Sequence, residues 1–186
     1  MSHADDRSGH RVSRIVMLGD SLTHFGNWPA LLPDHDVLNF GVSGNTSQQL
    51  WERVEPPLQS APDLVTVLIG TNDVGHADVP PREVVHNLER ITAAASTVAP
   101  VLVQSLLPRE PRHGQVLRAL NDDYREVADR LGVSFLDLWP HFEDGRDGLR
   151  SELTTDGLHL SASGYRKWSG LLGPVLVGLL AAETMS

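Results

Sequence analysis

The chain has 186 residues, a formal net charge of −9, 40% hydrophobic and 21% charged residues, and no cysteine. That length and composition suit one compact domain and exclude wholesale disorder or a collagen-like chain. The acidic balance, with no basic run, excludes a nucleic-acid footprint, and the missing cysteines remove disulfides, thiolate zinc sites and cysteine nucleophiles.

Residues 1–13 are polar and lack the apolar stretch of a secretory signal, so they predict a flexible N-terminal segment on a soluble, cytoplasmic protein. Residues 14–186 are expected to form a single domain. Ile15 to Leu18 and Val37 to Phe40 are short, mostly apolar runs that predict the first two strands. Thr46 and Gln49 have the spacing of a capping box, which predicts a helix from Thr46 that ends before Pro56. Leu64 to Ile69 predicts a third strand. After Pro80-Pro81, the stripe Val84, Leu88, Ile91, Ala95, Val98 predicts a helix.

Val101 to Leu107 and Val133 to Leu138 complete five strands. Between them Leu117, Leu120, Tyr124, Val127 and Leu131 share a helical face that stops at Gly132. The last helix is expected from about Ser161 to Ala182, with Tyr165, Trp168, Leu172, Val175 and Leu179 inward. Its apolar part, Leu171 to Ala182, is interrupted by Pro174 and falls short of the ~20 residues of a membrane span. Strands alternating with helices predict βαβ units and a five-stranded parallel sheet.

In an open α/β sheet, ligands bind beyond the carboxyl ends of the strands. The first three strands are followed by Gly19-Asp20-Ser21-Leu22, by Gly41-Val42-Ser43-Gly44-Asn45-Thr46 and by Gly70-Thr71-Asn72-Asp73. A flavodoxin-like order 2-1-3-4-5 would bring these turns together. Ser21 then offers a hydroxyl, Gly44 a backbone N–H and Asn72 an amide, which are a nucleophile and donors for the oxyanion formed when it attacks a carbonyl. A serine hydroxyl needs a base, usually a histidine oriented by a carboxylate, and Asp156 and His159 supply that pair three residues apart.

Taken singly, Ser21 is an ordinary helix-capping residue and Asn72 an ordinary turn residue; their co-occurrence changes the reading. The other eight histidines show no paired ligand spacing, so no catalytic metal and no cofactor is expected. Trp51, Trp139 and Trp168 are expected in the core, whereas Trp28, beside Pro29, is the tryptophan allowed near the substrate. Arg109 lies at the same rim and is expected in a surface salt bridge.

These blocks resemble those of the SGNH, or GDSL-type, hydrolases: Gly19-Asp20-Ser21-Leu22, Asn39 to Thr46, Gly70-Thr71-Asn72-Asp73 and Asp156-Gly157-Leu158-His159, in order, within Ile15 to Leu180. The resemblance implies a three-layer α/β/α fold and hydrolysis of esters or thioesters through an acyl-serine. By position, Ser21 would be the nucleophile, His159 the general base and Asp156 its orienter. The oxyanion hole would comprise the Ser21 and Gly44 amides and the Asn72 side chain, with Asp20 and Asp73 bracing loops. Residues Gly44 to Arg53 and Leu106 to Arg109 look most like compact acetylhydrolases and bacterial carbohydrate esterases. One departure is Asn45, where many members carry Asp. The resulting expectation is a serine esterase acting on a small short-chain or acetyl ester. Thioester cleavage, lysophospholipid hydrolysis, acyl transfer and a non-catalytic carbohydrate- or lipid-binding module remain as alternatives.

Overall fold

The computed structural model describes residues 12–75, 77 and 79–183. Residues 1–11 of the expected N-terminal segment, together with His3, His10 and His76, lie outside the described residues.

Five strands, β1 (Arg14–Gly19), β2 (Asp36–Gly41), β3 (Leu64–Leu68), β4 (Val101–Gln104) and β5 (Ser134–Leu136), form one sheet. Every neighbouring pair is parallel and the order is β2-β1-β3-β4-β5. Short helices α1 (Ser21–His24), α2 (Trp28–Leu31), α3 (Ser47–Glu52), α4 (Glu55–Leu58) and α5 (Thr71–Gly75) follow the first three strands. The longer α6 (Pro81–Ser96) and α7 (Gly114–Leu131) flank β4, and α8 (Trp139–Phe142) and α9 (Ala162–Glu183) follow β5.

Period-two alternation assigns each strand residue to a face. Val16 and Leu18 of β1 and Val65 and Val67 of β3 pack with Leu50 of α3, Leu88 and Ile91 of α6, and Leu120 and Tyr124 of α7. Ile15, Met17, Leu64 and Leu68 point the other way, onto Trp28 of α2 and Trp168, Leu172 and Leu176 of α9. The sheet is therefore covered on both sides, the α/β/α arrangement expected from sequence.

Beyond shifts of one or two residues at element ends, three details differ from the sequence reading. The fourth strand stops at Gln104 because the Leu106 backbone bonds to a side chain: Leu106 N donates to Asn121 Oδ1 (2.7 Å) and Asn121 Nδ2 donates to Leu106 O (3.1 Å). Val98 is 48% exposed because α6 has ended at Ser96 and the chain is turning towards β4. In α9, Leu176 takes the fully buried place expected for Val175, and the helix runs on through Pro174 with the proline exposed. Packing of the α9 apolar face overrides the local cost of the proline. Other local signals hold: the α3 capping box is formed through Thr46 and Gln49, and Gly132 caps α7 in the left-handed region at φ +66°.

Candidate active site

The register pairs Gly19 of β1 with Gly41 of β2 and with Leu68 of β3, so the three turns that follow leave the sheet at one level. Gly19 is required by crowding, since a Cβ there would sit 2.7 Å from the Leu68 carbonyl oxygen. Asp20 caps α1 by accepting from Leu22 N at 2.9 Å, and Ser21 occupies the first helical position, 3% exposed. A one-turn helix leaves its carbonyls without helical partners. Here Tyr165 Oη donates to Leu22 O (2.8 Å), Trp28 Nε1 to Thr23 O (2.8 Å) and Asn39 Nδ2 to Thr23 O and His24 O (both 3.1 Å).

In the second turn Gly44 has φ +80°, a conformation that favours glycine. Asn72, 4% exposed, donates from Nδ2 to Asn45 O at 3.0 Å, which ties the third turn to the second. Asp73 adds another tie, accepting from Ser47 N (2.9 Å) and Ser47 Oγ (2.6 Å), while Asn87 Nδ2 donates to Ser47 Oγ (3.1 Å). Among the described residues, neither Ser21 N–H nor Gly44 N–H has a protein acceptor.

The turn before α9 is built around Asp156. Its Oδ1 accepts from Leu158 N (3.0 Å) and His159 N (2.7 Å), Gly157 takes φ +84°, and Thr155 N donates to His159 O (3.0 Å). His159 Nδ1 then lies 2.7 Å from Asp156 Oδ2, and its Nε2 lies 3.1 Å from Ser21 Oγ. The His159 side-chain bond, with backbone donors adding to it, holds the Asp156 carboxyl down at about 2. A carboxylate ionised at neutral pH only accepts, so Nδ1 carries the proton and Nε2 is free to accept from Ser21. Such a relay can take a proton from a hydroxyl as it attacks and return it to a leaving group.

The two acidic neighbours behave differently. Burial pushes Asp20 up to about 7, with the nearby Asp73 charge adding to the shift, and its Oδ2 is buried without a hydrogen-bond partner. Burial also raises Asp73, against the lowering effect of its Ser47 bonds.

Ser21, Asp156 and His159 are thus brought together, and the Gly44 and Asn72 turns meet beside them. Two expectations are corrected. Trp28 is fully buried and away from solvent: its ring packs edge-on against Trp168 at 4.9 Å and Tyr165 at 6.1 Å while Nε1 serves the α1 carbonyl. Arg109 forms the expected salt bridge, to the Glu110 carboxylate (2.6 Å), which keeps Glu110 at about 2, but it is 2% exposed rather than a surface residue and also donates to Thr71 O (3.1 Å).

Residues missed by sequence reasoning are Phe25, 54% exposed with its ring 5.5 Å from His159, and Tyr165 and Arg53, whose donors reach rim carbonyls. Phe25 could have been flagged as an aromatic just past the serine turn; Tyr165 carried no signal beyond its place in a helix, and Arg53 none beyond its place at a helix end.

Among the described residues, no group of three or more His, Cys, Asp or Glu could hold a metal ion, and no helix is long and apolar enough to cross a membrane. The profile of the GDSL-like Lipase/Acylhydrolase family matches residues 17–167. The chain is similar to the Homo sapiens platelet-activating factor acetylhydrolase IB subunit alpha1, 30% identical over 187 residues covering 95% of this chain and 80% of that protein. It is also similar to the Homo sapiens isoamyl acetate-hydrolyzing esterase 1 homolog, 29% identical over 205 residues covering 88% and 81%. A GDSL-like lipase from Bacteroides thetaiotaomicron shares the fold, with a TM-score of 0.80 and 23% identity over 89% of this chain and 88% of the other.

Proposed function

Because the chain belongs to the GDSL-like lipase/acylhydrolase family, we propose that it is a serine esterase cleaving short-chain, acetyl-type carboxylic esters through an acyl-serine. The observation that carries this reading is the unbroken relay from Ser21 Oγ to His159 Nε2 (3.1 Å) and from His159 Nδ1 to Asp156 Oδ2 (2.7 Å).

Ser21 Oγ attacks the ester carbonyl carbon as its proton passes to His159 Nε2. The carbonyl π pair moves onto oxygen, where the Ser21 and Gly44 N–H groups and the Asn72 amide receive the charge. Collapse of the tetrahedral adduct breaks the bond to the alcohol oxygen, which leaves with the proton from His159. Water, deprotonated by His159, then attacks the acyl-serine and releases the acid, restoring Ser21. Throughout, Asp156 fixes the tautomer and stabilises the transient imidazolium.

Two lines support the acetyl preference: the relatives named for platelet-activating factor acetylhydrolase and isoamyl acetate hydrolysis, and a Ser21 that is only 3% exposed. Rates with p-nitrophenyl acetate and decanoate test it, and a preference for decanoate would overturn the short-acyl part. Ser21→Ala is expected to abolish both turnover and labelling by a fluorophosphonate; undiminished turnover would overturn the mechanism. The same site accommodates thioesters or transfer to an added alcohol, which product analysis separates from hydrolysis.

A further inference from the structure

Arg53 lies just beyond the last residue of α3, half-buried, and its guanidinium makes three hydrogen bonds at the rim. Nη2 donates to Gly19 O (3.0 Å), Nη1 to Phe40 O (2.9 Å) and Nε to Asn45 Oδ1 (2.6 Å). Gly19 lies two residues before Ser21, Phe40 is at the end of β2, and Asn45 directly follows Gly44. Asn45 O in turn accepts from Asn72 Nδ2 (3.0 Å). One continuous chain of bonds therefore joins all three turns that supply the oxyanion donors.

We propose that Arg53 and Asn45 form a positioning pair that fixes the distance between Ser21 and the Gly44 and Asn72 donors. The proposal rests on the oxyanion-hole reading given above. The planar fork of a guanidinium reaches three acceptors in fixed directions, which a single ammonium does not. The fold does not need this fork to hold α3. Leu50 is fully buried in the core, Trp51 packs against that cluster, and the start of the helix is held by Asp73 through Ser47. What Arg53 adds is orientation of loops that have no core of their own. Burial lowers the guanidinium pKa, which marks these bonds as partly withdrawn from water. With a neutral Asn45 in place of a carboxylate, the link to the Gly44 turn is a directional hydrogen bond rather than a charge pair.

The test is steady-state kinetics on p-nitrophenyl acetate for Arg53→Met, Arg53→Lys, Asn45→Ala and the Arg53→Met/Asn45→Ala double variant, with urea unfolding of each. Arg53→Met is expected to lower kcat roughly tenfold or more, below the ~10²- to 10³-fold of losing a donor outright, with KM within about twofold. Arg53→Lys is expected to recover only a small part of that loss. In the double variant Asn45→Ala is expected to add less than about twofold to Arg53→Met, because the two act through one link. A kcat within twofold of wild type in Arg53→Met, losses that multiply in the double variant, or losses that follow the unfolded fraction would each overturn the proposal. If Arg53→Met does not fold, Asn45→Ala alone decides, with a several-fold fall in kcat at constant KM expected and an unchanged kcat fatal. Ser21→Ala in the same series separates the two levels. An active Ser21→Ala removes the esterase mechanism, whereas an inactive Ser21→Ala beside an unimpaired Arg53→Met removes only the positioning pair.

Discussion

Asp20 should make the protein lose stability as pH rises from about 4 towards neutrality, and Asp20→Asn should abolish that loss. The carboxyl is fully buried, its Oδ2 has no hydrogen-bond partner, and burial raises it from an ordinary 3.8 to about 7. A raised folded-state value means that the stability contribution is fully present below pH 3.8, where both states hold the proton. Between 3.8 and 7 the unfolded chain ionises while the native one does not, so stability falls by about 1.4 kcal/mol per pH unit. Over some three units the loss from this group is on the order of 4 kcal/mol, complete above pH 7. Asparagine keeps an oxygen to accept from Leu22 N and has no charge to bury. Removing the charge also relieves repulsion of Asp73, which works in the same direction. Asp156 and Glu110, both held at about 2 in the native state, give up their contributions only as pH falls from their ordinary values of 3.8 and 4.5, at the acid edge of the window, and do so alike in wild type and variant. Urea unfolding followed by circular dichroism from pH 4 to pH 8 should show Asp20→Asn gaining on wild type across that range. Stability curves that stay parallel would refute the assignment of a neutral buried acid beside Ser21.

Three further outcomes are expected. Asn72→Ala should lower kcat for p-nitrophenyl acetate by roughly 10²- to 10³-fold while the far-ultraviolet spectrum stays unchanged. Tyr165→Phe leaves the buried Leu22 carbonyl without its donor, so the urea midpoint should fall by an amount equivalent to about 1–3 kcal/mol. Gly132→Ala meets no atom within 4 Å but must hold φ +66°, so thermal unfolding should report only the strain, about 1 kcal/mol.

The strands and the glycine turns after them were legible because both follow from local pattern, and a flavodoxin-like order, taken as an expectation, was enough to bring those turns together. β-branched apolar runs mark strands buried on two faces, and small polar residues just after them mark the rim. What stayed hidden depends on contacts that no local pattern encodes. Tyr165 reaches Leu22 across most of the chain, and Asn121 takes over the Leu106 backbone and so ends β4 early. Trp28 follows the serine turn closely, and a neighbour in sequence was expected to be a neighbour of the substrate. Its indole turns inward, where its N–H joins the donors on the Thr23 carbonyl and Trp168 supplies an apolar wall. Phe25, nearer to Ser21, is left at the surface beside His159.

The direction of the Ser21 amide is set by the planarity of the peptide unit. In a trans peptide the C=O and the following N–H point in opposite directions, so engaging the carbonyl directs the amide. Asp20 O accepts from His24 N at 2.9 Å, which turns the Ser21 N–H of the same peptide away from α1, where no protein acceptor meets it. Separately, the carbonyls of Gly19, Phe40, Leu22, Thr23 and Thr71 at the rim are taken by Arg53, Tyr165, Trp28, Asn39 and Arg109. Side-chain donors from distant elements satisfy these oxygens, while among the described residues the N–H groups of Ser21 and Gly44 have no protein acceptor. The Ser21 donor sits in a buried turn, where lacking an acceptor is costly in the resting protein and becomes favourable only when negative charge appears in front of it, whereas Gly44 is exposed and its N–H is open to water. A buried acid at Asp20, partly neutral at pH 7, fits the same logic, since a full carboxylate next to Ser21 would oppose that developing charge.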